Sequence, residues 1–435
     1  MFPLPNKQLR HALRWPAPEA MSADLSGLIA QYAASEHDQP LGVAVSGGSD
    51  SLALLYLLAD FAQQTGTTLC AVTVDHRLRP EAAEEAREVA KHCARLAVSH
   101  DTLQWENWTG QGNLQDAARR ARYDLIAAWA HSKDIQRVAL GHTQDDQAET
   151  LLMRLARGAG VDGLSAMGRE RHDRDIVWLR PLLDVSRATL QDVLRRRGVS
   201  WVKDPSNDEL QYDRVKARRA LLALKPLGVT AEALAQVADN MQSAREALEH
   251  QTKDTAQRLV TTQCGAVCIN WAGLSVGPHD IRRRLVLSCL RWVSRSEYPP
   301  RARALDGALS RVIGTASATL DGCLLEMKGN NLWISRELNA VQGQFVDFGA
   351  LWDKRWRLTG PDTHPDCVIG PLGLKGLSEC EGWRELGLPR KVLSVTPAVW
   401  KGENLVAAPL VNTDGPWQAV LERDKSSLLD AVFAH

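Results

Sequence analysis

Six residues, Ser46-Gly47-Gly48-Ser49-Asp50-Ser51, stand between an apolar run that reads as a strand, LGVAVS (41–46), and a run with helical spacing, SLALLYLLADFAQQ (51–64). This is an anion site in physical terms. Glycines let the chain turn tightly with backbone N–H groups outward, and a helix N-terminus adds favourable dipole charge. Ser46, Ser49 and Ser51 supply hydroxyl donors for phosphate oxygens, and Asp50 is placed to hold a magnesium ion that bridges phosphates. The bland alternative is a Gly-Ser turn that caps a helix and binds nothing. The dipeptide Gly-Lys occurs nowhere in the chain, so a P-loop lysine working on a γ-phosphate is not supported.

A second group follows another short apolar run, RVALGH (137–142). Asp145, Asp146 and Glu149 open a helical pattern there, and positions 145 and 149, like 146 and 149, share a helix face. Carboxylates concentrated in this way can bind magnesium or a cationic amine, and one of them can accept a proton from an attacking ammonium. The alternative is an acidic first turn that merely complements the helix dipole. His142, at the strand end, either orients a carboxylate or phosphate or is structural.

The elements that must position these groups alternate from Leu41 to about Gly198. Strand-like LGVAVS, TTLCAVTVD (67–75), RVALGH and IVWLRPLL (176–183) are separated by helical patterns at 51–64, 80–97, 113–131 and 145–158, with another at 186–198. Such alternation predicts an α/β fold, a Rossmann-like doubly wound parallel sheet with helices on both faces. Ligands of such sheets bind beyond the carboxyl ends of the strands, here just after Ser46, Asp75 and Gly141. The rest reads differently. Residues 199–227 are a polar, basic connector, 230–260 is one long helical pattern, and helices are expected near 281–295 and 301–313. A β pair, ATLDGCLLEMK and LWISRE, flanks Gly329-Asn330-Asn331, and from about Asp347 short strands mix with Gly and Pro. Three domains follow: 1–217, an N-terminal extension plus the catalytic sheet; 218–345, mainly helical; and 346–435, a small α+β module.

Composition bounds the partners. Fifty-two Lys and Arg balance 52 Asp and Glu across 435 residues, which excludes a generally basic nucleic-acid coat but leaves room for a local basic face. No apolar run approaches the length of a membrane helix, and the first residues lack the apolar centre of a signal peptide. The eight cysteines never form C-x-x-C, so they read as reduced, mostly buried small hydrophobes. A cytoplasmic protein without membrane contact is expected.

The loop S-G-G-x-D-S after a first strand resembles the PP-loop of the N-type ATP pyrophosphatases, enzymes that split ATP between its α and β phosphates and adenylate an oxygen of their substrate. Further segments are similar to those of the tRNA(Ile)-lysidine synthetases. Thr73-Val74-Asp75-His76-Arg77-Leu78-Arg79 matches the V-x-H-x-L-R element that lies beside the adenine, with Asp75 where Asn is more usual. Asn113-Leu114-Gln115 with Ala118-Arg119 and Arg122-Tyr123, Gly141 to Thr150, Gly163 to Met167 and Arg180-Pro181-Leu182-Leu183 continue the pattern. Asp204-Pro205-Ser206-Asn207, Tyr212-Asp213-Arg214 and Arg218 complete it.

The resemblance implies a two-step reaction. ATP with Mg²⁺ adenylates the C2 oxygen of the wobble cytidine in a tRNA(Ile) with a CAU anticodon, and free L-lysine then attacks C2 and expels AMP. It implies that Ser46 to Ser51, Asp75 and His76 hold ATP and that Asp50 holds the metal. Arg119 would stabilise charge on the phosphate as pyrophosphate leaves, a role that nothing but the resemblance gives to Arg119 over Arg120. Asp145, Asp146, Glu149, Asn207, Arg214 and Arg218 would meet lysine or tRNA, with Asp146 and Glu149 on the lysine amine. Between Arg187 and Lys225 ten Lys and Arg face five Asp and Glu, the local excess that phosphate contacts need. A second cluster, Arg282 to Arg303, has Trp292 and Tyr298 among it, and single-stranded RNA wants stacking surfaces. The fourteen tryptophans, however, are spread along the whole chain and read as core residues, so no stacking partner is assigned. The rivals are a tRNA thiolase, which needs a cysteine near the loop, and a nonenzymatic ATP- and RNA-binding protein on the same fold.

Overall fold

The computed structural model describes residues 18–33, 39–78, 81–106, 114–202, 213–296, 300–361, 366–422 and 427–428. The chain divides into two units, Met1–Arg245 and Glu246–His435.

In the first unit β1 (Leu41–Ala44), β2 (Leu69–Asp75), β3 (Ser99–Gln104), β4 (Arg137–Leu140), β5 (Glu170–Asp173) and β6 (Ile176–Leu179) form one sheet in the order β3-β2-β1-β4-β6-β5. All neighbours pair in parallel except β5, which folds back antiparallel on β6. Side chains alternate across the strands. Leu41, Val43, Leu69 and Ala71 enter a core with α1 (Pro18–Ala33), α2 (Ser49–Thr65), α3 (Ala82–Arg95) and α7 (Arg187–Arg196). Cys70, Val72, Val138 and Leu140 enter a second core with Tyr123, Ile126 and Trp129 of α4 (Leu114–Ser132). Helices cover both faces, so the doubly wound parallel sheet stands as expected.

β3 and β5 lie outside the strands expected from sequence. Their sequences, SHDTLQ and ERHD, are polar because each strand is an edge, buried only in part. β1 has β2 on one side and β4 on the other, so the chain order reverses across it. That switch point opens a crevice beyond the carboxyl ends of β1 and β4. α5 (Gln144–Leu155) starts there, α6 (Val161–Leu164) follows, and α8 (Asp213–Leu224) packs on α5, with the first half of α9 (Ala231–Leu259) also in this unit.

The second unit carries an antiparallel sheet, β7 (Val260–Gln263), β8 (Ala266–Asn270), β9 (Ser317–Leu320), β10 (Cys323–Lys328) and β11 (Asn331–Arg336), ordered β7-β8-β11-β10-β9. Beside it run α10 (Trp271–Ser275), α11 (His279–Ser294) and α12 (Ala302–Thr315), and Leu285, Cys289, Leu290, Leu325 and Ile334 fill the core between. The expected run ATLDGCLLEMK is two strands, because Asp321 and Gly322 turn at φ 53° and 66°. Beyond it, β12 (Val346–Asp347), β14 (Val368–Pro371), β15 (Pro397–Lys401) and β16 (Asn404–Ala407) form a small sheet, and β13 (Trp356–Thr359) pairs with β17 (Gln418–Leu421). Their core holds Trp352, Trp356, Val399 and Trp417.

All eight cysteines are free thiols, six of them buried. No single helix among the described residues is long and apolar enough to cross a membrane.

Candidate active site

β1 ends at Ala44 and α2 begins at Ser49, so four residues make the turn. Gly47 sits at φ 84°, where a side chain would be strained, and its carbonyl accepts from the Val202 N–H at 3.1 Å. The Ser46 N–H donates to Ser51 Oγ at 3.1 Å, and the Ser51 hydroxyl donates to the Gly48 carbonyl at 3.1 Å. Ser49 Oγ donates to Asp50 Oδ1 at 2.9 Å. No side chain among the described residues caps the N-terminus of α2, where N–H groups face outward as an anion site needs. Gly141 closes the crevice from β4. A Cβ there would lie 2.9 Å from both Cα and N of Ser51, so only glycine lets the end of β4 meet the start of α2.

α5 delivers the carboxylates. Thr143 is its N-cap in a capping box, in which Asp146 Oδ2 accepts from the Thr143 N–H at 2.9 Å and from its hydroxyl at 3.1 Å. The other oxygen, Asp146 Oδ1, faces Arg187 Nη2 at 3.3 Å and Arg214 Nη1 at 3.9 Å. Burial pushes the Asp146 carboxyl up, but Arg187, Arg214 and the Thr143 N–H outweigh it and hold it below the ordinary carboxylate value. Glu149 is 1% exposed. Its Oε1 accepts from Arg218 Nε at 2.9 Å, while Oε2 is buried with no hydrogen-bond partner among the described residues. Burial raises its carboxyl above the ordinary value, with Arg218 offsetting only part. Asp50 is raised in the same way by burial, against the Arg187 guanidinium, whose Nε donates to Oδ2 at 2.8 Å. Asp145 Oδ2 accepts from the Arg187 N–H at 2.7 Å, at the start of α7.

On the other face of the sheet lies a cationic group. Arg119 and Arg122 stand 5.3 and 5.6 Å from the ring centroid of Tyr123, and Tyr123 packs edge-on against Trp178. Arg180, 4% exposed, donates to the Gly168 carbonyl at 2.7 Å, and its Nε has no partner among the described residues. Neither Arg119, Arg122 nor Arg180 has a carboxylate partner among the described residues, whereas Arg120 is neutralised by Asp116 at 2.7 Å. That separates Arg119 from its neighbour on physical grounds. His142 lies between this group and Asp146, and burial pushes its imidazole well down, so the ring is neutral.

Asp75 Oδ1 accepts from the Arg77 N–H at 2.8 Å and closes the turn after β2; His76 stands edge-on to Trp105 at 5.8 Å, and its buried Nδ1 has no hydrogen-bond partner among the described residues. The structure therefore gathers Asp50, Asp146, Glu149, Arg214 and Arg218 at one crevice beside the 46–51 loop. No ion pair or hydrogen bond joins Arg119 to that group among the described residues. Asn207 lies outside the described residues. Arg180 stands in the sequence only as part of a matching segment and Arg187 only as the start of a basic run, and neither carries a spacing signal that marks it as a site residue. Trp292, 1% exposed, is core, as the reading of the tryptophans expects, and its Nε1 donates to Ser427 Oγ at 3.1 Å; Tyr298 lies outside the described residues.

An uncapped Gly-Ser loop at the switch point of a parallel sheet, with carboxylates facing it, defines a PP-loop ATP-using enzyme, and a PP-loop domain model matches residues 21–225. A tRNA(Ile)-lysidine synthase of Ruegeria pomeroyi is 46% identical over 408 residues, 94% of this chain and 97% of that protein. One of Wolbachia pipientis is 32% identical over 87% of this chain and 90% of that protein. A solved U34-tRNA thiolase of Methanococcus maripaludis aligns at a TM-score of 0.45 and 16% identity over 52% of this chain and 80% of that one, too loose to bear on substrate. The chain belongs to the tRNA(Ile)-lysidine synthase family and is an ATP-dependent ligase.

Proposed function

We propose that this enzyme joins free L-lysine to C2 of the wobble cytidine in a tRNA(Ile) with a CAU anticodon. The observation that carries the reading is Glu149: a buried carboxylate with one oxygen unpaired among the described residues, one helical turn from Asp146, at the mouth of the phosphate loop.

In the first step the loop N–H groups of 46–51 and the start of α2 hold the ATP phosphates, with Asp75 and His76 at the adenine end. The cytidine C2 oxygen attacks the α-phosphorus, and pyrophosphate leaves. Arg119, unneutralised on its face, answers the charge that develops. Magnesium fits this site in one manner. Among the described residues no three His, Cys, Asp or Glu side chains could form a metal cage, but Mg²⁺ commonly uses one or two carboxylates plus substrate phosphates, and Asp50 supplies one. When bound it would neutralise phosphate charge beside Asp50.

In the second step the lysine ε-ammonium pairs with Asp146, which stays ionised, and gives a proton to Glu149 Oε2, whose raised pKa suits a base. The freed amine forms the C2–N bond, the C2–O bond breaks, and AMP departs carrying that oxygen. Asn207, Arg214 and Arg218 are proposed to meet lysine or tRNA, and residues 218–345 and 346–435 to grip the tRNA. The work belongs in the cytoplasm, where tRNA, ATP and free lysine meet. A thiolase is disfavoured because Cys70 is buried in β2 and the Cys93 thiol is pushed up to about 12 by burial. Following the two steps separately tests the proposal. Pyrophosphate release should need tRNA and ATP but not lysine, and AMP release should need lysine; AMP release without lysine would sink the reading.

A further inference from the structure

The side chain of Arg187 is shared among three carboxylates from two helices. Nε donates to Asp50 Oδ2 at 2.8 Å, Nη2 faces Asp146 Oδ1 at 3.3 Å and Nη1 faces Glu149 Oε1 at 3.7 Å. Each guanidinium nitrogen thus meets a different carboxylate. The backbone beneath is held as firmly: the Arg187 N–H donates to Asp145 Oδ2 at 2.7 Å, and Ser186 Oγ caps α7 through the Thr189 N–H at 3.2 Å. Asp146 and Glu149 have second cations in Arg214 and Arg218, whereas Asp50 has no cationic partner but Arg187 among the described residues.

We infer that Arg187 is a resident counter-cation that shuts the carboxylate group to free divalent metal and admits metal only together with ATP. This rests on the reading of Asp50 as the metal's carboxylate. A free ion would have to displace a guanidinium held by three carboxylates and would gain one carboxylate at Asp50, with no cage of three ligands among the described residues to complete its shell. An ion arriving on ATP brings phosphate oxygens of its own. Those oxygens also give the displaced guanidinium a new anionic partner, since guanidinium pairs with phosphate as well as with carboxylate. Exchange is therefore balanced only when the nucleotide is present. Arg187 acts through Asp50 and is a positioning residue.

Mn²⁺ is the probe, and the signal of free Mn²⁺ in electron paramagnetic resonance reads its binding to the full chain, with and without α,β-methylene ATP, once protein-free titrations have taken out the Mn²⁺ held by the analogue alone. Wild type is expected to bind Mn²⁺ at least tenfold more tightly with the analogue than without it. Arg187→Gln should bind Mn²⁺ at least tenfold more tightly than wild type in the absence of nucleotide, and Arg187→Lys, which keeps the charge, should behave as wild type. A merely structural arginine would not yield a gain of binding. Equal Mn²⁺ affinity of wild type with and without the analogue would overturn the inference without any variant. So would an Arg187→Gln protein with a native circular dichroism spectrum and no gain. Asp50→Asn separates the layers: if it leaves Mn²⁺ binding with the analogue intact, Asp50 is not the metal's carboxylate, and the parent reading fails first.

Discussion

Asp146 and Glu149 are three residues apart on α5, yet their environments push them in opposite directions. Both Asp146 oxygens are engaged, by the Thr143 cap on one side and by Arg187 and Arg214 on the other, and its carboxyl is held low. Glu149 has one buried oxygen without a hydrogen-bond partner among the described residues, and its carboxyl is raised. Glu149→Gln is therefore expected to lower lysine transfer by about 10²–10⁴-fold while tRNA-dependent pyrophosphate release continues. Asp146→Asn should chiefly raise the KM for lysine; rapid-quench assays of the two half-reactions check both. The sign of the pH effect follows. Glu149 must be ionised to take a proton, so transfer rises with pH through a pKa above the ordinary 4.5, and Glu149→Gln loses that limb. At this scale the sequence makes Asp50, Asp146 and Glu149 legible, because each lies at a fixed offset from a strand end. It does not distinguish the two α5 carboxylates, since what separates them is Thr143, Arg187, Arg214 and Arg218, partners brought in by folding.

Among the elements, the start of α2, the end of β4 and the start of α5 make the crevice, and each contact depends on a small or bidentate residue. Gly141→Ala would set a methyl 2.9 Å from the Ser51 backbone, which has no flexible end to give way. It is expected to cost about 1–3 kcal/mol in urea unfolding and to weaken ATP binding; unchanged stability and affinity would show that β4 and α2 can part. Gln147 pins the 163–168 segment, its Nε2 donating to the Met167 carbonyl at 2.8 Å and its Oε1 accepting from the Met167 N–H at 2.8 Å. Gln147→Ala removes both partners from half-buried backbone groups, which is expected to cost about 1 kcal/mol, and should speed proteolysis near Gly163; a wild-type digestion pattern would contradict this. The interior strands announce themselves by apolar runs such as LGVA and RVAL. β3 and β5 do not, because edge strands carry polar residues, and β7 and β8 hide at the end of a long helical pattern.

For the whole molecule, His76, His92, His100 and His142 are all held below the ordinary 6.5 by burial. Their folded pKa values are depressed, so the unfolded chain binds more protons as pH falls below 6.5. The stability these histidines contribute is full above that pH and is lost as the pH falls below it. The urea midpoint should be lower at pH 5.5 than at pH 7.5, and changing His92 and His100 to Gln should shrink the difference. The parallel sheet and its crevice could be read from alternating elements and motif order. The five-stranded sheet of the second unit is less legible, because its strands are short and joined by tight turns such as Asp321-Gly322. The most direct test of the central claim uses the full chain, Mg–ATP, bulk tRNA and radiolabelled lysine, counting acid-precipitable label before and after mild alkali. Label that needs ATP, survives alkali and disappears with Glu149→Gln is the expected result, the mark of a C–N bond to a base. Label released by alkali would mean an aminoacyl ester and would contradict the claim.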